Sequence, residues 1–146
     1  MLVICAGGGG IPVVVRSDGG VCGVEAVIDK DLTAAVLAEK IRADQLLLLT
    51  NVGAVYADWP TPCERAIRRA HPDALASLDF EPGSMGPKVE AAIAFARKTG
   101  RPACIGALEE ARWVFQGKAG TWISSEVTGL ESPVDEHPVH KPGSVA

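Results

Sequence analysis

Leu46-Leu47-Leu48-Leu49-Thr50 is the stretch on which the fold turns. Four leucines in a row show no polar alternation. A strand built from them needs cover on both faces, as in a parallel sheet flanked by helices. Just upstream, Asp29-Lys30-Asp31 opens a helix from about Leu32 to Ala43. Asp29 or Asp31 caps it, and Leu32, Val36, Leu37 and Ile41 form its apolar face. A helix running straight into such a strand is half of a βαβ unit. Asn51-Val52-Gly53 then falls just past the strand's C-terminal end, where open α/β sheets bind ligands.

The flanking chain fits the same architecture. Leu2 to Ala6 reads as a buried strand with almost no lead-in, so the chain is expected to start inside a fold. Gly7-Gly8-Gly9-Gly10 follows, and Pro12 with a β-branched run excludes a Rossmann fingerprint. The glycines suit either a flexible turn or a loop whose N–H groups approach a ligand. Ser17 to Gly20 is a turn, Gly23 to Ile28 extended, and Ala54 to Ala57 a short strand. Glu64–Ala70 and Pro72–Leu78 read as two short helical pieces. A strand at 101–106, a helix at 108–115 and a last strand at 120–123 complete a domain of residues 1–123. Residues 124–146, poor in apolar side chains, are expected to be a disordered tail.

Composition narrows the function classes. The chain has 146 residues, 47% hydrophobic and 22% charged, enough for one α/β domain with a real core. A net charge of −4 without an arginine-rich run argues against nucleic acid as a partner. The apolar runs are too short for a bilayer span, and Met1-Leu2-Val3-Ile4 lacks a signal-peptide n-region. Cys5, Cys22, Cys63 and Cys104 show no C-x-x-C spacing, so no metal site is expected and the compartment reads as cytoplasmic. Cys5 and Cys104 lie in apolar runs and read as buried thiols.

Chemistry concentrates in Phe80-Glu81-Pro82-Gly83-Ser84-Met85-Gly86-Pro87-Lys88, a loop that becomes a helix ending at Thr99-Gly100. A cation in a first helical turn is electrostatically disfavoured, and an anion there removes the conflict. A solvated lysine beside an ordinary Gly/Pro loop is the plainer account. Lys30 likewise stands at a helix start. In a parallel sheet the two starts share one edge, and two converging lysines suit a transferring phosphoryl group.

Taken together, Gly7 to Val13, Gly23 to Asp31, Leu48 to Val52, Pro82 to Ala92 and Gly120 to Ile123 resemble the C-terminal half of the carbamate kinases, within the amino-acid kinase family. The resemblance spans roughly residues 2–123. It implies an αβα sandwich with a mostly parallel central sheet, and the reaction ATP + carbamate ⇌ ADP + carbamoyl phosphate. Magnesium would ride on the ATP or ADP phosphates, in the setting of arginine fermentation. By match of motif, Lys30 would contact the phosphates and the transferring group, Asp31 would orient the lysines, and Lys88 would bind the β/γ phosphates. Gly8 and Gly9 would border the substrate side; Thr50, Asn51, Tyr56 and Met85 would line the nucleoside pocket. A homodimer is the assembly implied.

The family's Gly-Gly-Asn carbamoyl loop and a further catalytic lysine, both in its N-terminal half, have no counterpart here. The run between Pro72 and Pro82 is several residues shorter than usual. Three readings follow: a nucleotide-binding part working with a separate N-terminal half, a binding module without transfer, or a remnant. The chain by itself is expected to be inactive.

Overall fold

The computed structural model describes residues 3, 5, 8–80 and 83–132. It contains β1 (Val13–Val15), β2 (Val21–Gly23), α1 (Lys30–Lys40), β3 (Leu46–Thr50), β4 (Val55–Ala57), β5 (Arg65–Ile67) and β6 (Arg69–Ala70). Then follow α2 (Pro72–Ala76), α3 (Met85–Thr99), β7 (Ala103–Ala107), a 3₁₀ turn (Leu108–Glu110), α4 (Ala111–Phe115), β8 (Thr121–Ile123) and β9 (Leu130–Glu131).

The leucine run forms β3 in parallel register with β7, Leu46 opposite Ala103 through Thr50 opposite Ala107. The five-stranded sheet has the order β3-β7-β8-β6-β9. It is mixed: β3/β7 and β6/β8 are parallel, whereas β7/β8 and β6/β9 are antiparallel. Strand alternation sorts the leucines between two layers. Leu46 and Leu48 join α1 and α3 in the main core with Val89, Phe95, Ile105 and Ile123. Leu47 and Leu49 face a smaller cluster around Cys104, Val114 and Ala119. That second layer rests on the five-residue α4, too short to cover them, so both stay half-buried. The α/β expectation holds, with helices on both faces.

α1 and α3 run side by side in the same direction. Asp31 meets Lys88 at their starts, and Lys98 meets Glu39 at 2.9 Å near their ends. Small side chains fill the space between: Ala35 and Ala38 on α1, Ala91, Ala92 and Ala96 on α3 are all buried. The expected apolar face of α1 is therefore corrected. Val36 and Ile41 point outward, at 55% and 66% exposure, because close helix packing favours the alanine stripe. α3 ends as expected, with Gly100 at φ 68° donating its N–H to Ala96 O.

Other expectations are also revised. Residues 64–70 are not helical. Arg65–Ile67 pairs antiparallel with Val55–Ala57, and Arg69–Ala70 sits between β8 and β9. Cross-strand partners distant in sequence outweigh local helix propensity here. Buried Thr121 ties the β4/β5 hairpin to the sheet: its Oγ1 accepts from Val55 N at 2.8 Å and donates to Ile67 O at 2.6 Å. The ordered domain extends past residue 123. Val127 is buried and β9 pairs with β6, while residues 133–146 of the expected tail lie outside the described residues. Of the expected strand at 2–6, only Val3 and Cys5 are described. Both are exposed, so Cys5 is not the buried thiol expected; Cys104 is. Glu81 and Pro82 of the loop before α3 also lie outside the described residues.

Candidate functional site

Asp29 starts α1. Its backbone is extended, and its Oδ1 accepts from Asp31 N at 2.8 Å and Leu32 N at 3.0 Å. The Leu32 N–H is the main reason the Asp29 carboxyl titrates below its ordinary value; the Asp31 N–H and the positive charges of Lys30 and Lys88 add to it, against desolvation. The cap turns Asp31 inward toward α3. Its Oδ2 accepts from Lys88 Nζ at 2.8 Å and lies 3.6 Å from Lys30 Nζ. The Asp31 and Lys88 side chains are only 11% and 13% exposed, whereas Lys30 is 62% exposed. Two ammonium groups from helix starts 58 positions apart in numbering, 30 and 88, thus share one carboxylate oxygen.

Gly9 lies against the residue before this cap. A Cβ there would stand 2.6 Å from Ile28 O, so only glycine allows the approach. At Gly8 a Cβ would meet nothing within 4 Å. The glycine run thus borders the entry to α1 rather than the cleft described next.

That cleft, about 790 Å³, opens at the C-terminal end of β3. All four residues expected in a nucleoside pocket line it: Thr50, Asn51, Tyr56 and Met85. Trp59, Phe80 and two aspartates, Asp58 and Asp79, line it as well, and sequence reasoning assigned them nothing. Their only sequence signal was an aromatic residue in each loop flanking the pocket. Tyr56 stacks at a tilt on Trp59, ring centroids 5.6 Å apart. Its hydroxyl is buried without a hydrogen-bond partner among the described residues, and burial raises its pKa. Lys30, Asp31 and Lys88 are not part of the cleft wall. They stand beside it: Met85 of the wall and Lys88 both belong to the first turn of α3.

The two helix starts differ. α1 is capped by Asp29, whereas Ser84 makes no side-chain capping bond to α3. The first-turn N–H groups of α3 therefore keep their capacity for an anion.

The end of β3, the cleft and two lysine-bearing helix starts thus lie together. Residues 1–107 match the amino acid kinase family, and the chain belongs to that family. It is 50% identical over 129 residues to a carbamate kinase of Haemophilus influenzae, covering 88% of this chain and 42% of that protein. With a carbamate kinase of Rhizobium meliloti it shares 47% over 145 residues, 98% of this chain and 44% of that one. The structure of Giardia lamblia carbamate kinase bound to AMP-PNP superposes with a TM-score of 0.75 at 39% identity, covering 80% of this chain and 38% of that one. The chain spans about two-fifths of the length of these relatives. No helix among the described residues is long and apolar enough to cross a membrane.

Proposed function

We propose that this chain is the nucleotide-binding part of a carbamate kinase-type phosphotransferase, ATP + carbamate ⇌ ADP + carbamoyl phosphate. The observation that carries the reading is the shared grip of Lys30 and Lys88 on Asp31 beside a cleft lined by Thr50, Asn51, Tyr56 and Met85. The nucleoside occupies the cleft, and its phosphates run toward the uncapped start of α3. Lys88 holds the β/γ phosphates, Lys30 reaches the transferring group, and Asp31 orients both ammonium groups. Gly8 and Gly9 border the acceptor side. Asp31 Oδ2 is already shared by two ammonium groups, so the donor set here suits a magnesium held by phosphate oxygens rather than by this chain. The resemblance to the carbamate kinases extends this reading to a cytoplasmic role in arginine metabolism and to a homodimer.

In-line transfer needs both substrates positioned together. A chain that spans two-fifths of its relatives' length is expected to bind ADP without turning it over. Calorimetry with ADP and magnesium tests the binding; no heat and no thermal shift overturns it. A coupled assay for ATP formed from carbamoyl phosphate and ADP tests the second part. Turnover that Lys88→Ala abolishes would show that this chain suffices alone.

A further inference from the structure

The cleft is chemically lopsided. Among the described residues its wall carries two carboxylates, Asp58 and Asp79, and no lysine or arginine. Its only neighbouring cation within the first turn of α3 is Lys88. Tyr56 and Trp59 stand at the Asp58–Pro60 loop, whereas the uncapped helix start and Lys88 stand at α3, so the phosphates point to α3 and the base to that loop.

That loop is built around a ring. The chain has one Tyr, three Trp and three Phe, and Tyr56, Trp59 and Phe80 all line this one cleft. Trp59 remains 47% exposed although it is the largest apolar side chain there. It is held in place before any ligand arrives. Asp58 adopts φ 58°, a left-handed conformation uncommon for a residue with a side chain. Its carbonyl accepts from Thr61 N at 3.0 Å and Thr61 Oγ1 at 2.6 Å, and its carboxylate lies 3.5 Å from Arg65. The Tyr56 ring backs the indole. A ring that is exposed yet fixed can stack on a flat ligand at little entropic cost.

We infer that Trp59 is the stacking wall for the nucleotide base, making it a specificity-determining residue that favours a purine over the smaller pyrimidine ring. This rests on the nucleotide-binding reading above. Stacking on one aromatic side chain corresponds to roughly a tenfold or greater change in affinity.

The test uses the full chain. ADP is titrated by calorimetry into wild type, W59L and W59F, and tryptophan fluorescence is followed in wild type and W59F. Trp59→Leu is expected to weaken ADP about tenfold and to narrow the preference for ADP over UDP. Trp59→Phe is expected to keep most of the affinity but lose the ADP-induced quenching. ADP bound equally by wild type and W59L overturns the stacking assignment and leaves nucleotide binding standing. Wild type that takes up no ADP overturns both. Equal losses in W59L and W59F with a lowered melting temperature assign Trp59 a structural part instead, and also overturn it.

Discussion

Removing either member of the Asp31–Lys88 pair strands a nearly buried charge. Asp31→Asn leaves Lys88, 13% exposed, with no anion from α1, and the starts of α1 and α3 lose their tie. Lys88→Met leaves Asp31 with Lys30 alone, 3.6 Å away and 62% exposed. Breaking a fully buried pair costs 3–5 kcal/mol, and an exposed one under about 1 kcal/mol. With both side chains just over a tenth exposed, each single substitution is expected to cost about 2 kcal/mol. Asp31→Asn is expected to be the worse, because Lys88 already sits unfavourably in a helix first turn. The double variant strands neither charge and should cost only about 2.5 kcal/mol, giving a coupling of roughly 1.5 kcal/mol. Urea unfolding of the four proteins measures the cycle, and each single variant should melt about 5–8 °C lower. Single costs that add within about 0.5 kcal/mol would refute the claim that these two groups depend on each other.

The remaining predictions use other elements. Asp29 has a lowered folded pKa, so its stabilisation is present above its ordinary value of 3.8 and disappears as pH falls through the lower folded value. Asp29→Ala should therefore cost about 1 kcal/mol near pH 7 in thermal unfolding, with the gap to wild type closing as the pH falls through the lowered folded value. Cys104 is buried and its pKa is pushed up to about 11, so thiol labelling near neutral pH should modify Cys5 and Cys63 readily and Cys104 only after denaturation, read by peptide mass spectrometry. Gly120 has φ 73°, and a Cβ there would sit 2.5 Å from Ile105 O; Gly120→Ala should cost about 2–4 kcal/mol by chemical unfolding.

What the sequence could disclose followed from how local each cause is. The leucine run, the Gly100 stop and the two helix-start lysines are set by neighbours in the chain, and all appear where expected. The strands at 65–67 and 69–70 are set by Val55–Ala57, β8 and β9, so their own helix-like composition misled. The inward face of α1 was misread because reasoning from large apolar residues chose Val36 and Ile41, while the helix contact is made by alanines. Asp58 and Trp59 sit on one loop and Asp79 on another, and only the β4/β5 hairpin and the loop before α3 bring them to one wall. In the same way Lys88 was legible as a residue needing an anion, but only the family resemblance, not the local pattern, singled out Asp31 beside it.

That partner changes how the proposed phosphate recognition would work. A lysine in a first helical turn asks for negative charge. Asp31 answers from the neighbouring helix at 2.8 Å, so Lys88 is already paired. An ammonium has three donors, and one is committed here, leaving two for phosphate oxygens. On the proposed reading, a nucleotide would therefore add anion to a cation that is already held, rather than capture a free one. The cost of ordering the lysine has been met in advance, which favours a fixed geometry over raw affinity. On the same reading, the exposed Lys30, 3.6 Å from the same oxygen, would be the member able to move toward a transferring group. A nearly buried lysine that positions and an exposed one that follows the charge would be the division of labour this carboxylate imposes.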